Sequence, residues 1–347
     1  MTNDSVIIQN PKEWGSFFSN LQFSKLVLVA DANTEKYCLP HVLETYLNES
    51  VQTYVLPAGE GNKNLDEASK LWSWLLTNHI DRNAVIVAVG GGMVTDLAGF
   101  VASTYKRGIR SIYFPTTNLA MCDAAIGGKT GVNYHGIKNQ IGTFHLPEAI
   151  VLDANFLNSL PYPQLASGLF ETVKHAMIGD AELWNMIQSQ DFDIKGQLPL
   201  VQSMKVKQNI VNQDFKESGI RQALNFGHTV GHAVEAYAAE IKQNLYHGEA
   251  IAFGMLTEAW ISNKLVGLSA KNLHQLEVLI LKHLSLNKDC FAEAESYLEL
   301  MRQDKKNKNG AIVCSLVEDI GKPIIGKSIE ESLLVESIQF AKKQLVE

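Results

Sequence analysis

The sequence predicts a two-domain α/β protein, in which a mostly parallel sheet with flanking helices is followed by a mainly α-helical C-terminal domain. In the first half, short apolar runs rich in β-branched residues alternate with helical segments. After Pro161-Tyr-Pro163 the pattern changes to long helical segments. A chain of 347 residues is long enough for two domains that each bury a core. We therefore expect one domain over 1–160 and a second over 161–347.

The elements of the first domain follow from residue type and periodicity. Each expected strand is a short apolar run that ends at Gly, Pro, Asp or Thr. Strands are expected at 26–30, 53–56, 84–89, 111–114 and 149–152, and helices at 65–76 and 95–103. Buried strands that alternate with helices are typical of a Rossmann-like sheet covered on both faces. Ligands of such sheets bind at the carboxyl ends of the strands.

The second domain is predicted to be helical because its apolar residues recur with a helical period. Helices are expected at 164–178, 198–212, 229–239, 249–265, 273–284 and 329–345. The sequence contains no internal repeat and no low-complexity segment.

Composition excludes several classes of protein. The net charge of -7, with no Lys/Arg stripe, argues against a general nucleic-acid binder. The four cysteines lack C-x-x-C spacing, so a disulfide framework or cysteine metal site is not expected. No apolar run reaches the ~18 residues of a membrane span, and the N-terminus lacks a signal-peptide pattern. We expect a soluble cytoplasmic protein with no membrane partner.

Histidines in the second domain indicate a divalent-metal site. His228 and His232 are four residues apart in a segment predicted to be helical, so they lie on one helical face. His247 stands at the head of a later segment. Any one of these histidines is more often an ordinary core or surface residue, but three with glycine spacing favour a site.

The first domain contains two glycine-rich segments. Gly90-Gly91-Gly92 lies where an apolar strand turns into a helix, a place that suits a pyrophosphate. Thr95 occupies the third glycine position of G-x-G-x-x-G, so a structural turn is equally compatible with this segment. In 126–131, a P-loop is excluded because Asp123 stands where that motif needs glycine. Lys129, and Lys138 shortly after it, are expected in loops that face an anion.

Together, these segments and others in the same order resemble the 3-dehydroquinate synthase family from about Asp31 to Lys322. The resemblance is carried by short segments throughout both halves: Gly59-Glu60 with Lys63, Gly90-Gly91-Gly92 with Asp96, Tyr105-Lys106-Arg107-Gly108, Pro115-Thr116-Thr117, Asp123 with 127–133, Lys138-Asn139, Glu171-Thr172-Val173-Lys174, Arg221 with 225–232, His247-Gly248-Glu249 and Asp304-Lys305-Lys306.

This resemblance implies a homodimer that uses NAD and one divalent cation, usually Zn²⁺, with Co²⁺ as an alternative. The implied substrate is 3-deoxy-D-arabino-heptulosonate 7-phosphate, and the implied products are 3-dehydroquinate and phosphate. In the family, C5 is oxidised, phosphate is eliminated, C5 is reduced and an aldol step closes the ring. The metal ligands carry over to Glu171, His228 and His247. On spacing alone, His175 with Glu171, or Glu249 in place of His247, are alternatives.

The resemblance also implies contacts to NAD. It assigns the adenosine ribose to Asp31 and Asn33, and the nicotinamide region to Asp123 and Ser159. The other residues implied to bind the cofactor are Glu60, Lys63, Gly91, Gly92, Asp96, Thr116, Thr117, Lys129 and Lys138.

A phosphate and a carboxylate together carry roughly three negative charges, so an acidic protein must gather cations to bind the substrate. The implied substrate-binding and catalytic set is Asp123, Lys129, Lys138, Asn139, Lys174, Lys207, Arg221, Asn225 and one or both of Lys305 and Lys306. Arg107 is implied to reach the phosphate in the neighbouring subunit. His232 is expected to hydrogen-bond the substrate or to assist proton transfer, and the alternative is that it orients a metal ligand.

The sequence departs from the family pattern at Asn118, at Ala124-Ala125, at Ser159 and at Phe170, and none of these removes an implied ligand. Three other functions remain open. A sister sugar-phosphate cyclase would share NAD and metal, although Arg221 with Asn225 favours a substrate with a carboxylate. A polyol dehydrogenase would consume NAD, and a non-catalytic binding protein would lack a bound metal.

Overall fold

The computed structural model describes residues 5–47, 51–135, 137–284, 288–302 and 311–345. The chain divides into two compact units, Met1–Leu160 and Pro161–Glu347. Within the described residues no helix is long and apolar enough to cross a membrane. All four cysteines are buried and free, as the sequence predicts.

The first unit is built on a six-stranded parallel sheet with flanking helices, as predicted. The strands are β1 (Val6–Ile8), β2 (Leu26–Asp31), β3 (Gln52–Leu56), β4 (Val85–Gly90), β5 (Arg110–Pro115), β6 (Lys129–Tyr134), β7 (Ile137–Phe144) and β8 (Ala149–Val151). The helices are α1 (Pro11–Phe18), α2 (Ala32–Tyr37), α3 (Leu39–Val42), α4 (Leu65–Thr77) and α5 (Gly92–Thr104). The strand order in the sheet is β1-β8-β5-β4-β2-β3.

The chain order of the strands defines where a ligand binds this sheet. The chain passes from β2 outward to β3 and then crosses back to β4 on the other side of β2. Connections that diverge in this way leave a crevice outside the carboxyl ends of the two strands. Both strands are buried along their whole length, so polar groups of this region gather at those ends.

β6 and β7 form an antiparallel hairpin outside the main sheet. Lys129 begins β6 and Lys138 lies in β7, so the prediction that both lysines lie in loops was wrong. The reason is that β7 is largely exposed and lacks an alternation of apolar and polar residues.

The second unit is mainly helical, as expected. Its helices are α6 (Tyr162–Gly179), α7 (Ala181–Ile187), α8 (Gln197–Gln213), α9 (His228–Glu240), α10 (His247–Leu265), α11 (Ala270–His283), α12 (Ala294–Arg302) and α13 (Glu331–Leu345), and its strands are β9 (Ile312–Asp319) and β10 (Lys322–Ile329). The hairpin of β9 and β10 was not predicted, and Ile329 ends a strand instead of beginning the last helix.

Two helices form the centre of this unit. α6 is buried from Leu165 to Ile178, and α10 is buried from Gly248 to Ala259. A helix that is buried all round is usually apolar all round. The charged side chains that these two helices carry inside the core therefore need a physical explanation.

Candidate cofactor and metal sites

A glycine turn closes the crevice of the first unit. Gly91 is the N-cap of α5 and provides no side-chain cap, so the helix N-terminus is open to an anion. The turn is tightly packed, because a Cβ at Gly90 would lie 2.4 Å from the Cβ of Val94. A Cβ at Gly91 would lie 3.0 Å from the Thr117 side chain. Gly90 and Gly91 therefore satisfy a steric requirement, because a side chain at either position would crowd its neighbours.

Lys63 joins several of the predicted residues in this unit. Its buried Nζ lies 3.0 Å from Asp96 Oδ2, 3.0 Å from Glu60 Oε1 and 2.8 Å from Asn139 Oδ1. Burial alone would lower the pKa of Lys63, but the Asp96 and Glu60 carboxylates more than offset it and raise the pKa. The structure therefore brings three predicted residues together around a fourth, the buried Lys63.

The remaining predicted cofactor residues of this unit are placed by local hydrogen bonds. Asp31 Oδ1 accepts from Asn33 and Thr34 N–H, each at 2.9 Å, and thereby caps α2. Thr117 Oγ1 accepts from Ala120 N–H at 3.1 Å. Ser159 Oγ donates to the Phe156 carbonyl at 3.2 Å. Thr116 is buried directly after β5.

Other predicted residues of the first unit lie at its surface or on turns. Lys129 and Lys138 are exposed on the β6–β7 hairpin, and Asn139 beside them has a φ of 55°. Asp123 is half-buried in a π-helical turn over Ala120–Ala124. Arg107 is exposed and has a φ of 66°, in the left-handed region that non-glycine residues seldom adopt.

The three predicted metal ligands of the second unit meet. Glu171 comes from the middle of α6, and His228 and His247 are the first residues of α9 and α10. Glu171 Oε1 lies 3.6 Å from His228 Nε2 and 3.5 Å from His247 Nε2. Zinc bonds of about 2.1 Å at a tetrahedral angle separate two ligand atoms by about 3.4 Å. The donor set and its spacing therefore fit a zinc-sized cation.

Each imidazole has a second contact that orients its ring. His228 Nδ1 lies 3.2 Å from the Phe226 carbonyl, and His247 Nδ1 lies 3.3 Å from Glu235 Oε2. These contacts leave each Nε2 facing Glu171, which is the arrangement that metal-ligating histidines adopt.

The two imidazoles have different pKa values. Burial and the nearby Lys174 ammonium hold the pKa of His228 well below its usual range. Burial would also lower the pKa of His247, but hydrogen bonds to Glu171 and Glu235 raise it to about 10. A cation bound at this site would therefore take the place of a proton.

The structure separates only one of the alternative ligands from the proposed triad. Glu249 Oε2 accepts from Tyr246 N–H at 2.9 Å in a capping box at the start of α10, so Glu249 has a structural role. His175 is buried and lies 2.8 Å from Ser203 Oγ through Nδ1. Ligand atoms of His175 and Glu171 lie within 4.8 Å of each other, so the pairing of these two residues stays an alternative.

Buried cations of the second unit match the predicted substrate-binding set. Lys174 is buried and forms an ion pair with Glu171, one turn away on α6. Arg221 is 2% exposed and donates from its Nη1 to the Phe215 carbonyl at 2.6 Å. Lys207 is also buried, on α8. Burying a cation is unfavourable unless it is paired or hydrogen-bonded, and each of these three side chains has such interactions in the structure.

His232 lies on the same face of α9 as His228, as the spacing predicts. Its ring centroid is 5.1 Å from that of His228 and 6.0 Å from that of His247. It is exposed, whereas His228 is half-buried. The position is compatible with contact to a ligand beside the metal triad. Lys305 and Lys306 lie outside the described residues.

Three acidic residues near this site were not assigned from the sequence. Glu217 accepts from Asn225 Nδ2 at 2.9 Å, and Glu235 contacts His247 as described above. Glu258 accepts from backbone N–H groups at the start of α9. Glu217 has a φ of 61°, a backbone strain that often accompanies function but gives no signal in the sequence.

Comparison with known proteins matches both halves of the chain to one family. Sequence models described as 3-dehydroquinate synthase N-terminal and C-terminal match residues 53–167 and 168–307. A 3-dehydroquinate synthase of Parabacteroides distasonis is 37% identical, with 99% of each chain covered. A 3-dehydroquinate synthase of Pyrococcus furiosus is 38% identical, over 98% of this chain and 99% of that protein.

A solved structure has a similar fold. It is a 2-epi-5-epi-valiolone synthase from Streptomyces hygroscopicus subsp. jinggangensis with NAD⁺ and Zn²⁺ bound, with a TM-score of 0.87 and 22% identity. The match covers 99% of this chain and 98% of that one. At this identity the likeness concerns the fold alone.

Proposed function

This chain belongs to the 3-dehydroquinate synthase family of enzymes, and on that premise we propose how its residues carry out the reaction. The substrate is 3-deoxy-D-arabino-heptulosonate 7-phosphate, and the products are 3-dehydroquinate and phosphate. The enzyme is a phosphate-eliminating lyase that uses NAD and returns it unchanged. The observation that carries the proposal is the spacing of Glu171, His228 and His247, which suits a divalent cation.

NAD binds the first unit at the carboxyl ends of β2 and β4. The open N-terminus of α5 receives the pyrophosphate, because helix N-terminal N–H groups favour negative charge. Asp31 lies at the end of β2, where the ribose hydroxyls of a dinucleotide bind in such folds. Lys63 holds Glu60, Asp96 and Asn139 in one cluster beside this crevice.

Glu171, His228 and His247 hold Zn²⁺ or Co²⁺, since nitrogen and carboxylate ligands accept both. When bound, the cation would supply Lewis acidity for a substrate hydroxyl, and NAD would supply a reversible hydride acceptor. Once C5 is a ketone, the C6 proton is acidic, and the phosphate oxygen of the substrate removes it. A dedicated general base for that proton is therefore not required.

The cations of the second unit bind the negative charge of the substrate. Arg221 suits the carboxylate because its planar fork donates two parallel hydrogen bonds. Lys174 and Lys207 are buried, so their interaction with an anion is weakly screened. His232, exposed beside the metal ligands, hydrogen-bonds a substrate hydroxyl and exchanges a proton with it. In the first unit, Lys129 and Lys138 are exposed on the β6–β7 hairpin and are proposed to bind anionic groups.

Phosphate release tests this function. Purified protein is incubated with the substrate, Zn²⁺ and NAD far below the substrate concentration, with and without a chelator. We expect many phosphates released per NAD, loss of release on chelation, and 3-dehydroquinate as the product. Release from a heptulose 7-phosphate that lacks the carboxylate would instead identify a sister cyclase. Accumulation of NADH with a simple polyol would identify a dehydrogenase.

A further inference from the structure

The first turn of α9 is capped by a side chain from another helix. The N-cap of α9 is Gly227, which has no side chain and a φ of 79°. Glu258 of α10 supplies the missing acceptor: its Oε2 accepts from Gly227 N–H at 2.7 Å, and its Oε1 accepts from Thr229 and Val230 N–H at 3.1 and 3.4 Å. Glu258 is fully buried. A carboxylate is favoured there because a helix N-terminus carries partial positive charge.

The opposite contact lies at the start of α10. Glu235 of α9 is 3.3 Å from Nδ1 of His247, the first residue of α10. Each of the two helices thus contributes one glutamate to the N-terminus of the other. Those two N-termini carry His228 and His247.

The backbones of α9 and α10 are in direct contact between these two points. A Cβ at Gly254 would lie 1.9 Å from the Gly227 carbonyl oxygen. A Cβ at Gly231 would lie 3.0 Å from the Ala250 carbonyl oxygen. Because packing this close allows little relative movement, a hydrogen bond at each end is enough to define the register of one helix along the other.

We propose that Glu235 and Glu258 are positioning residues that together set the separation and ring orientation of His228 and His247. The proposal rests on the metal site proposed above and goes beyond it, because neither glutamate is one of the three proposed ligands. Glu258 positions the backbone that carries His228. Glu235 holds Nδ1 of His247 so that Nε2 faces Glu171.

The test measures metal binding and does not depend on turnover. Zn²⁺ affinity of the metal-stripped full-length chain is determined by competition with a chromophoric chelator, and ligand geometry is followed in the visible absorption of the Co²⁺ form. Glu258→Gln keeps the side-chain size and removes the charge. We expect it to weaken Zn²⁺ binding by about tenfold and to change the Co²⁺ spectrum.

Ser262→Ala is the matched control. Ser262 is buried on α10 one turn after Glu258, and its Oγ donates to the Glu258 carbonyl and accepts from Val317 N–H. The Ser262→Ala substitution should lower thermal stability, whereas the Zn²⁺ affinity and the Co²⁺ spectrum should stay as in the wild type. Wild-type affinity and spectrum in folded Glu258→Gln, or an equal loss in Ser262→Ala, would overturn the proposal.

Glu235 provides a second arm if Glu258→Gln does not fold. Glu235→Ala removes the acceptor for His247 Nδ1 and should weaken Zn²⁺ binding by about tenfold, whereas Glu235→Gln keeps an acceptor and should restore most of the affinity. Equal affinities in wild type, Ala and Gln variants would overturn the proposal. If the wild type itself fails to bind Zn²⁺, the proposed metal site fails too, and this outcome is distinct from the others.

Discussion

At the scale of single residues, Lys63 is the most instructive side chain of the first unit. Its Nζ is shared by Glu60, Asp96 and Asn139, which come from three separate segments of the chain. A buried ammonium is tolerated only when it is paired and hydrogen-bonded. The same cation therefore stabilises the unit and arranges residues proposed to bind NAD.

We predict that Lys63→Met lowers the free energy of unfolding by about 2 kcal/mol, because it removes a buried cation shared by two carboxylates. This loss is smaller than the loss expected for a fully buried ion pair, because the Glu60 side chain is 42% exposed. Urea unfolding followed by circular dichroism measures it. Lys70→Met is the control: Lys70 pairs with Glu67 but its side chain is 63% exposed, so its loss should change the free energy of unfolding much less than the loss of Lys63. Equal effects of the two substitutions would contradict this account of Lys63.

His145 makes stability depend on pH. Its Nε2 lies 2.9 Å from Ser111 Oγ, and burial lowers the pKa of His145. A depressed pKa means that protonation favours the unfolded chain, so this contribution is present above the unfolded pKa of about 6.5 and is lost as pH falls through the folded pKa.

We therefore predict that the wild type loses more stability than His145→Gln when the pH falls from about 7.5 to about 5.5. Glutamine is uncharged over this range and can still hydrogen-bond Ser111. Thermal unfolding at a series of pH values measures the difference. If the stability of the two proteins changed with pH in the same way, His145 would not contribute to the pH dependence of stability.

At the scale of elements, the α9–α10 pair determines the relative position of His228 and His247. The two helices approach closely because glycine occupies their contact, at Gly227, Gly231 and Gly254. His228 and His247 begin these helices, so a shift of either helix would move a proposed ligand. We therefore expect helix packing and metal affinity to be coupled in this unit.

We predict that Gly254→Ala destabilises the protein by about 2 kcal/mol and weakens Zn²⁺ binding, because its Cβ would overlap the Gly227 carbonyl. Gly15→Ala is the matched control, since nothing lies within 4 Å of a Cβ at this position inside α1. Alanine there should be neutral or stabilising by less than about 1 kcal/mol. Urea unfolding measures the stability, and the chelator competition measures the Zn²⁺ affinity. Unchanged Zn²⁺ affinity in folded Gly254→Ala would show that the packing of α9 on α10 does not control metal binding.

At the scale of the whole molecule, the proposed homodimer gives Arg107 a test. Arg107 is exposed and follows Lys106, and both residues have positive φ. Strained backbone at an exposed arginine often marks a functional contact. The proposal places this contact in the active site of the neighbouring subunit.

We predict that mixing two inactive variants restores activity. Arg107→Ala and His247→Ala are dissociated, mixed in equal amounts and reassociated. If Arg107 acts in the neighbouring subunit, each mixed dimer contains one intact site, so about one quarter of wild-type activity returns. No recovery, in a sample that sedimentation shows to contain dimers, would mean that Arg107 acts within its own subunit.

The sequence by itself determined the parallel sheet, the helical second half and the residues proposed as metal ligands. Apolar runs such as Val85–Gly90 are buried wherever they fold, and the spacing of His228 and His232 determines their common face once the segment is helical. Only the tertiary structure decided the features that depend on contacts between distant segments of the chain. The cap on α9 comes from Glu258, 31 residues from Gly227, and Glu249 accepts a backbone hydrogen bond in a capping box at the start of α10. Periodicity and motifs describe residues that are close along the chain. Long-range contacts such as the cap on α9 depend instead on hydrogen bonds between segments that only folding brings together.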